Sequence, residues 1–299
     1  MLTLPSYVLI TPARNEAEFI GLTIESVLAQ TVRPIKWVIV SDGSTDATSD
    51  IVRRYAVQHG WIELLELPER AERHFAGKAA AVNAGWARVA GLDYAVIGNL
   101  DADVSFQKDY LAFLLSKFAE NPRLGVAGTP YLEQNGLHDA RYKNPEHVSG
   151  ACQMFRRECF EAIGGYSSVR SGGIDFIALL SARAMRWETK TFRERACIHH
   201  RHVGSGQHAN VYRRLLHLGT KDYLLGSHPV FEIFRSVYRM KNRPYFIGGA
   251  LMLIGYASAM LRRDERTMPE ELIEHRRRDQ IQRLKAVLRR PLSHRSLQG

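Results

Sequence analysis

Two aspartates separated by one residue, Asp101 and Asp103, follow directly after the apolar run 94–100. Carboxylates at the carboxyl end of a strand can converge on the crevice where open α/β sheets bind ligands. Oxygen ligands of this kind suit Mg²⁺ or Mn²⁺, and either cation neutralises a diphosphate. Because an Asp-x-Asp pair also occurs in ordinary solvated loops, its meaning depends on the rest of the sequence.

Polar side chains also follow two other predicted strands. Residues 40–46 (VSDGSTD) lead from one strand into a helix, and residues 11–16 (TPARNE) follow the first strand. Asp42 can accept a hydrogen bond from a nucleobase N–H, and Gly43 allows close approach of the backbone. Helix capping alone accounts for residues 44–46, so we assign a binding role only to Asp42.

The elements that must position these residues are visible as an alternation of apolar runs and helical periods up to about residue 130. The predicted strands are 7–11, 37–41, 61–67, 94–100 and 124–128. A first helix ends before Pro34, and a second begins near residues 42–46. The pattern predicts an α/β fold with a mainly parallel sheet, which brings the three polar strand ends to one edge.

The composition and the cysteines limit the class of protein to which the chain can belong. With 299 residues, 45% of them hydrophobic, the chain can bury a full core without disulfides or a structural metal. Cys152, Cys159 and Cys197 form no C-x-x-C pair, which indicates a reducing, cytoplasmic compartment. The first residues show no secretion signal, so we expect none.

The net charge of +10 is concentrated in the tail. Residues 230–299 hold 15 Lys and Arg against 7 Asp and Glu, a net charge of +8. Within the tail, residues 245–261 lack charge and residues 270–288 form a basic amphipathic helix. The uncharged segment is at the short limit for a membrane span, so it either lies in the membrane interface or packs as a buried helix.

Four motifs in order resemble glycosyltransferase family 2: residues 11–16, 42–46, 77–85 (GKAAAVNAG) and 101–103. The resemblance covers about residues 5–205. It implies the A-type fold of nucleotide-sugar transferases, with a mainly parallel central sheet flanked by helices and here a helical C-terminal extension. It further implies transfer of a sugar, with inversion, from a nucleotide-diphosphate donor to an acceptor hydroxyl.

The resemblance also implies roles for single residues. Pro12, Glu16 and Asp42 would line the nucleoside pocket, with Asp42 facing the base. Lys78 would reach the nucleotide or its phosphates, although a solvated loop lysine is the commoner fate of this residue type. Ser41 stands where the family often has a first acid, which leaves the nucleotide preference open.

The metal site is implied in the same way. Asp101 would contact the ribose or metal-bound water, and Asp103 would bind Mn²⁺ or Mg²⁺. In the cluster 199–202, which resembles a segment that closes over the diphosphate, we predict His200 as the third metal ligand and Arg201 as a phosphate partner.

Asp175 is the predicted catalytic base. The family places an acid just ahead of a helix, and the matching stretch is residues 172–175, followed by Arg183 and residues 186–187. Ile174 stands where a Glu is often found, which leaves Asp175 as the carboxylate for proton removal. Asp175 can also cap the helix, and the two roles are compatible. The turn 149–151 is expected to border the donor sugar or the acceptor.

We therefore predict a catalytic domain over residues 1–229, with a nucleotide-sugar half (1–128) and an acceptor-side half (129–229). Residues 230–299 would form a tail that binds the inner face of the cell membrane peripherally. The acceptor is not identified by the sequence, and a lipid-linked acceptor in glycan or polysaccharide synthesis fits the tail. A homo-oligomer is compatible with the segment 245–261.

Two other classes of function share parts of this sequence pattern. A sugar nucleotidyltransferase shares the architecture but needs a glycine-rich loop after the first strand, and residues 11–16 contain no glycine. A noncatalytic membrane scaffold or a nucleic-acid-binding protein has only the basic tail in its favour. The tail lacks interleaved aromatic residues and known nucleic-acid motifs, so we expect no nucleic-acid partner.

Overall fold

The computed structural model describes residues 3–69, 75–133, 146–169, 172–201 and 210–289. The chain forms two compact units, residues 1–205 and 206–299. The second unit therefore begins ahead of residue 230, where the sequence analysis placed the start of the tail.

The first unit is built on a seven-stranded sheet and a three-stranded sheet with flanking helices. The strands of the larger sheet are β1 (Tyr7–Ala13), β2 (Lys36–Asp42), β3 (Ile62–Leu67), β4 (Val96–Leu100), β6 (Leu124–Gly128), β8 (Cys152–Arg156) and β9 (Glu188–Thr191). The smaller sheet contains β5 (Val104–Ser105), β7 (Tyr131–Glu133) and β10 (Cys197–His199). The helices are α1 (Ile20–Leu28), α2 (Thr48–Gln58), α3 (Phe75–Val89), α4 (Tyr110–Glu120), α5 (Arg157–Ala162) and α6 (Ile174–Ala184).

The strand order of the larger sheet is β3-β2-β1-β4-β8-β6-β9. The first four strands in this order run parallel, so their carboxyl ends share one edge. Strand β8 pairs antiparallel with both β4 and β6. These findings confirm the predicted α/β fold with a mainly parallel central sheet and its helical C-terminal extension.

Helix α3 packs closely on the sheet through a glycine. A β-carbon on Gly85 would lie 2.7 Å from Cγ2 of Ile10 and 3.0 Å from Cγ2 of Val40. Val40 and Ile10 are fully buried, so the helix can approach the strands only where the side chain is missing. This close packing fixes the helix that carries Lys78.

The second unit contains four helices among its described residues: α7 (Val211–Leu224), α8 (Pro229–Arg239), α9 (Ile247–Arg262) and α10 (Glu270–Arg289). Glycines bring α7 and α9 together, because β-carbons on Gly219 and Gly255 would clash with the carbonyl oxygens of Met252 and Leu216. This packing explains why α7 belongs to the second unit.

Helix α9 coincides with the uncharged segment 245–261. It buries one side against α7, yet Ile254 and Leu261 are exposed. Among the described residues, no helix is long and apolar enough to cross a membrane.

Candidate active site

The loop between β4 and β5 carries Asp101 and Asp103. The side chain between them, Ala102, is 4% exposed and packs in the core, so the flanking carboxylates are directed away from it. Thr23 of α1 holds the loop: its hydroxyl donates to the carbonyl of Ala102 at 2.9 Å and accepts from the N–H of Val104 at 3.1 Å. The sequence analysis did not identify Thr23, because it lies in a helix 79 residues away from Ala102 in the sequence and no local pattern links the two.

His199 completes a cluster with these two aspartates. One ligand atom from each of Asp101, Asp103 and His199 lies within 4.8 Å of the others. The antiparallel pairing of β10 with β5 sets His199 opposite Val104, next to Asp103. Nε2 of His199 lies 3.6 Å from Oδ1 of Asp103. Two carboxylates and one imidazole form a donor set that fits a divalent cation such as Mn²⁺.

The structure places His199, and not the predicted third ligand His200, in the cluster with the two aspartates. Nε2 of His200 lies 2.9 Å from Oγ of Ser105, and its ring stacks on Phe19. Adjacent side chains near a strand point in opposite directions, so only one of the two histidines can face the aspartates. No local sequence signal indicated this choice, because it depends on the pairing of β10 with β5, which buries His199 and exposes Ile198.

Lys78, on α3, contacts Asp101. Its Nζ lies 2.5 Å from Oδ1 of Asp101. Burial acts to lower the pKa of the Lys78 ammonium, but the charges of Asp101, Asp175 and Asp103 outweigh it, so the pKa is raised. Burial raises the pKa of the Asp101 carboxyl, and Asp103 adds to the rise while Lys78 opposes it. The two side chains are therefore a close, charge-coupled pair.

Arg201 lies between two carboxylates. Its guanidinium donates to Oε2 of Glu16 at 2.5 Å, and its Nε lies 3.9 Å from Oδ2 of Asp103. The side chain also covers the ring of Phe19, with 5.6 Å between the guanidinium carbon and the ring centre. Glu16 in turn is buried and its N–H donates to Oγ1 of Thr48. The positively charged guanidinium of Arg201 thus lies at the edge of the cluster formed by Asp101, Asp103 and His199.

Asp175 is the second residue of α6, so it lies within the first turn and not ahead of the helix, and the N-cap position is taken by Gly173. Asp175 interacts electrostatically with Lys78 and with Tyr166, so it belongs to the same charged neighbourhood as Asp101. A β-carbon on Gly150 would lie 2.9 Å from Oδ2 of Asp175. The turn at residues 149–151 and the predicted base are therefore neighbours.

Pro12 and Asp42, which were predicted to line a nucleoside pocket, lie on β1 and β2, and Glu16 follows the end of β1. Asp42 is the last residue of β2 and is buried, and Pro12 pairs with Val40 where β1 and β2 run side by side. Of the predicted capping residues, Asp46 accepts a hydrogen bond from the N–H of Thr48 at the start of α2. Strands β1 and β2 end at the same sheet edge as β4, and Asp101 follows β4 directly.

Parts of two predicted segments fall outside the described residues. These are positions 134–145 of the predicted acceptor-side half (129–229) and position 202 of the cluster 199–202.

The sequence profile of the family described as Glycosyl transferase family 2 matches residues 8–145 of the chain. The chain contains a glycosyltransferase family 2 region over these residues. The matched region contains the four motifs, among them the Asp101 and Asp103 loop, which confirms the predicted family. The match favours the glycosyltransferase prediction over the sugar nucleotidyltransferase alternative.

Curated relatives of the chain have names that refer to polysaccharide synthesis. The chain is 30% identical over 194 residues to the succinoglycan biosynthesis protein ExoA of Rhizobium meliloti, covering 55% of this chain and 54% of the relative. It is 29% identical over 136 residues to a poly-beta-1,6-N-acetyl-D-glucosamine synthase of Staphylococcus aureus, covering 45% of this chain and 31% of the relative. The chain thus spans about half or less of the length of these relatives.

Solved structures share the fold of the chain. The mannosyltransferase PcManGT from Pyrobaculum calidifontis, in complex with GDP-Man and Mn²⁺, has a TM-score of 0.58 at 21% identity, with 96% of this chain and 81% of that chain covered. S. aureus TarS 1-349 in complex with UDP-GlcNAc has a TM-score of 0.55 at 13% identity, with coverages of 84% and 71%. At these identities the likeness concerns the fold alone.

Proposed function

We propose that the chain transfers a sugar, with inversion, from a nucleotide-diphosphate donor to an acceptor hydroxyl with the help of a divalent cation. The observation that carries the proposal is the cluster of Asp101, Asp103 and His199 within 4.8 Å, bordered by the cations of Lys78 and Arg201. A set of carboxylates beside two cations suits a metal-bound diphosphate, because each charge of the ligand meets an opposite charge.

Each residue then has a role in binding or in moving a proton. Asp103, Asp101 and His199 hold the cation, which when bound supplies positive charge to the leaving diphosphate. Lys78 and Arg201 bind diphosphate oxygens, and Pro12, Glu16 and Asp42 form the nucleoside side. Two of the similar structures contain GDP-Man and UDP-GlcNAc, which agrees with a nucleotide-sugar donor here.

Asp175 takes the proton of the acceptor hydroxyl. As that oxygen forms its bond to the anomeric carbon, the bond from this carbon to the diphosphate oxygen breaks, and the nucleoside diphosphate leaves on the opposite face. The proton moves to the Asp175 carboxylate, so the step balances without any further reactant. Attack from the face opposite the leaving group gives inversion.

The names of the relatives support a role in polysaccharide synthesis. We place the enzyme peripherally at the inner face of the cell membrane, held through the basic, partly apolar residues 230–299.

The test separates donor binding from transfer. The full chain is incubated with UDP- and GDP-sugars and Mn²⁺, and donor binding and nucleotide release are both measured. We expect Asp103→Ala to abolish metal-dependent donor binding and turnover, and Asp175→Asn to keep donor binding but lose transfer. Equal losses of donor binding in both variants would contradict the assigned roles.

A further inference from the structure

Helix α8 presents its apolar side to the solvent. Its outward side chains recur at intervals of three and one residues, which is one face of an α-helix. This face consists of Val230, Ile233, Phe234, Val237 and Tyr238, which are between 38% and 55% exposed.

The opposite face of α8 is polar and buried. Glu232 and Ser236 are both 0% exposed, and they lie beside a charged cluster in which Asp222 pairs with Arg235 and Arg276. A helix at the surface of a water-soluble domain turns its apolar face inward. The exposed apolar face of α8 is therefore stable only if an apolar environment outside the second unit covers it.

Exposed apolar side chains are concentrated in this unit. Of the 21 large hydrophobic side chains that are exposed among the described residues, 16 belong to residues 210–289 and five to the longer first unit. Single exposed apolar residues are ordinary, whereas a contiguous apolar surface marks an interaction site.

A basic groove adjoins the C-terminal end of α8. It has a volume of about 1110 Å³ and is lined by Arg214, Arg239 and Arg243, together with Tyr212 and Tyr245. Within the part of the chain that the structure describes, no carboxylate lies within 4.0 Å of these three guanidinium groups. The groove therefore carries an excess of positive charge next to the exposed apolar face.

We propose that this surface binds an anionic phospholipid bilayer. The apolar face of α8 lies among the upper acyl chains, parallel to the membrane plane, and the arginine groove takes the phosphates of the headgroups. The inference deepens the membrane attachment in the proposed function and rests on that part of it. It assigns the attachment to α8 and the groove, whereas the sequence pattern pointed to segments 245–261 and 270–288.

A second copy of the chain is a poorer occupant than a bilayer. A symmetric dimer over this face would bring two copies of the same arginine groove towards each other, and like charges oppose such pairing. An anionic lipid surface complements the apolar face and the positive charge at once.

The first experiment is flotation of the full chain, without sugar donor, with two kinds of vesicle. One is phosphatidylcholine alone, and the other contains phosphatidylglycerol at about one third of the lipid. We expect binding to the anionic vesicles, weakened by salt, and a loss of at least about tenfold in the double variant Phe234→Ser, Val237→Ser. The double variant Arg214→Gln, Arg243→Gln should lose about fivefold per arginine on anionic vesicles only.

The matched controls come from exposed positions of the first unit. Val57, which is 82% exposed, is changed to Ser, and Arg54 is changed to Gln. Both should bind vesicles like the parent chain, and melting curves check that every variant folds. Unchanged flotation of the α8 variant would overturn the proposal.

A fluorescence probe reports insertion directly. The four tryptophans of the chain, at positions 37, 61, 86 and 187, all belong to the first unit. Phe234→Trp should give a blue shift and quenching by brominated acyl chains, and Val57→Trp should give neither. Absence of quenching at position 234, or sedimentation showing a dimer that Phe234→Ser, Val237→Ser dissociates, would overturn the bilayer as occupant. Neither measurement depends on sugar transfer, so a failure here leaves the active-site proposal to its own test.

Discussion

The carboxylate of Asp175 rests against the bare backbone of Gly150, because a β-carbon at that position would lie 2.9 Å from Oδ2 of Asp175 and 3.1 Å from its Cβ. The turn at residues 149–151 therefore leaves room for the side chain that we propose as the base. Any side chain at position 150 has to displace Asp175 or shift the turn.

Gly150→Ala is expected to lower kcat by about 10- to 100-fold, because a displacement of a catalytic group by about 1 Å can cost that much in rate. Donor binding should stay unchanged, since the added methyl group displaces the proposed base Asp175 and does not contact the proposed metal ligand Asp103. The measurement is steady-state nucleotide release beside donor titration. Gly60→Ala, where a β-carbon meets nothing within 4 Å, is the control and should behave like the parent enzyme.

His199→Ala and His200→Ala distinguish the two adjacent histidines. We expect His199→Ala to raise the Mn²⁺ concentration for half-maximal activity by at least about tenfold, because it removes a proposed ligand of the cation. His200→Ala should change this concentration little, since His200 contacts Ser105 and Phe19. Titration of metal into chelator-treated enzyme provides the measurement. The reverse ranking would restore His200 as the ligand.

Neighbouring glycines of α9 should respond in opposite ways to alanine. A β-carbon on Gly249 would clash with the carbonyl oxygen of Ser236, whereas one on Gly248 meets only side-chain atoms at 3.6 Å or more. We expect Gly249→Ala to lower the free energy of unfolding by about 1–3 kcal/mol. Gly248→Ala should raise it by up to about 1 kcal/mol, because alanine favours the helix. Urea unfolding of both variants checks the pair, and equal effects would contradict the packing of α8 on α9.

Glu232 makes the stability of the second unit depend on pH. Burial and the nearby Asp222 raise the pKa of the Glu232 carboxyl from its ordinary 4.5 to about 7. The folded form therefore binds the proton more tightly than the unfolded form, so stability is full below pH 4.5 and declines as the pH rises through about 7.

Glu232→Gln removes that dependence. At pH 8 the variant should be more stable than the parent chain by on the order of 1–3 kcal/mol, and at pH 4.5 the two should be nearly equal. Thermal melting at both values measures the difference, with Glu271→Gln on the exposed side of α10 as the control. A parent chain more stable at pH 8 than its Glu232→Gln variant would refute the assignment.

The first half of the fold was predictable because its signals are local. Strands β1, β2, β3, β4 and β6 lie within a few residues of the predicted runs, since each run is apolar and bounded by turns. The position of Asp101 and Asp103 followed from the end of β4. The insertion of β8 between β4 and β6 depends on long-range pairing, which no local pattern encodes.

The remaining differences have the same origin. The selection of His199 over His200 depends on how β10 pairs with β5, across residues far apart in the sequence. The direction in which the apolar face of α8 points could not be predicted from the sequence either. Periodicity shows that a helix has an apolar face, but what lies on each side of the helix decides whether that face is buried.

The pairing of Lys78 with Asp101 supplies this carboxylate with an internal counter-ion in the free enzyme. A diphosphate that attracts the ammonium of Lys78 leaves Asp101 with its full negative charge, and a cation then gains from that charge. The two ligands should therefore bind with positive cooperativity, and by thermodynamic reciprocity each raises the affinity for the other by the same factor. In the proposed reaction, departure of the nucleotide would return Lys78 to Asp101 and weaken the binding of the cation, which would prepare the site for the next donor.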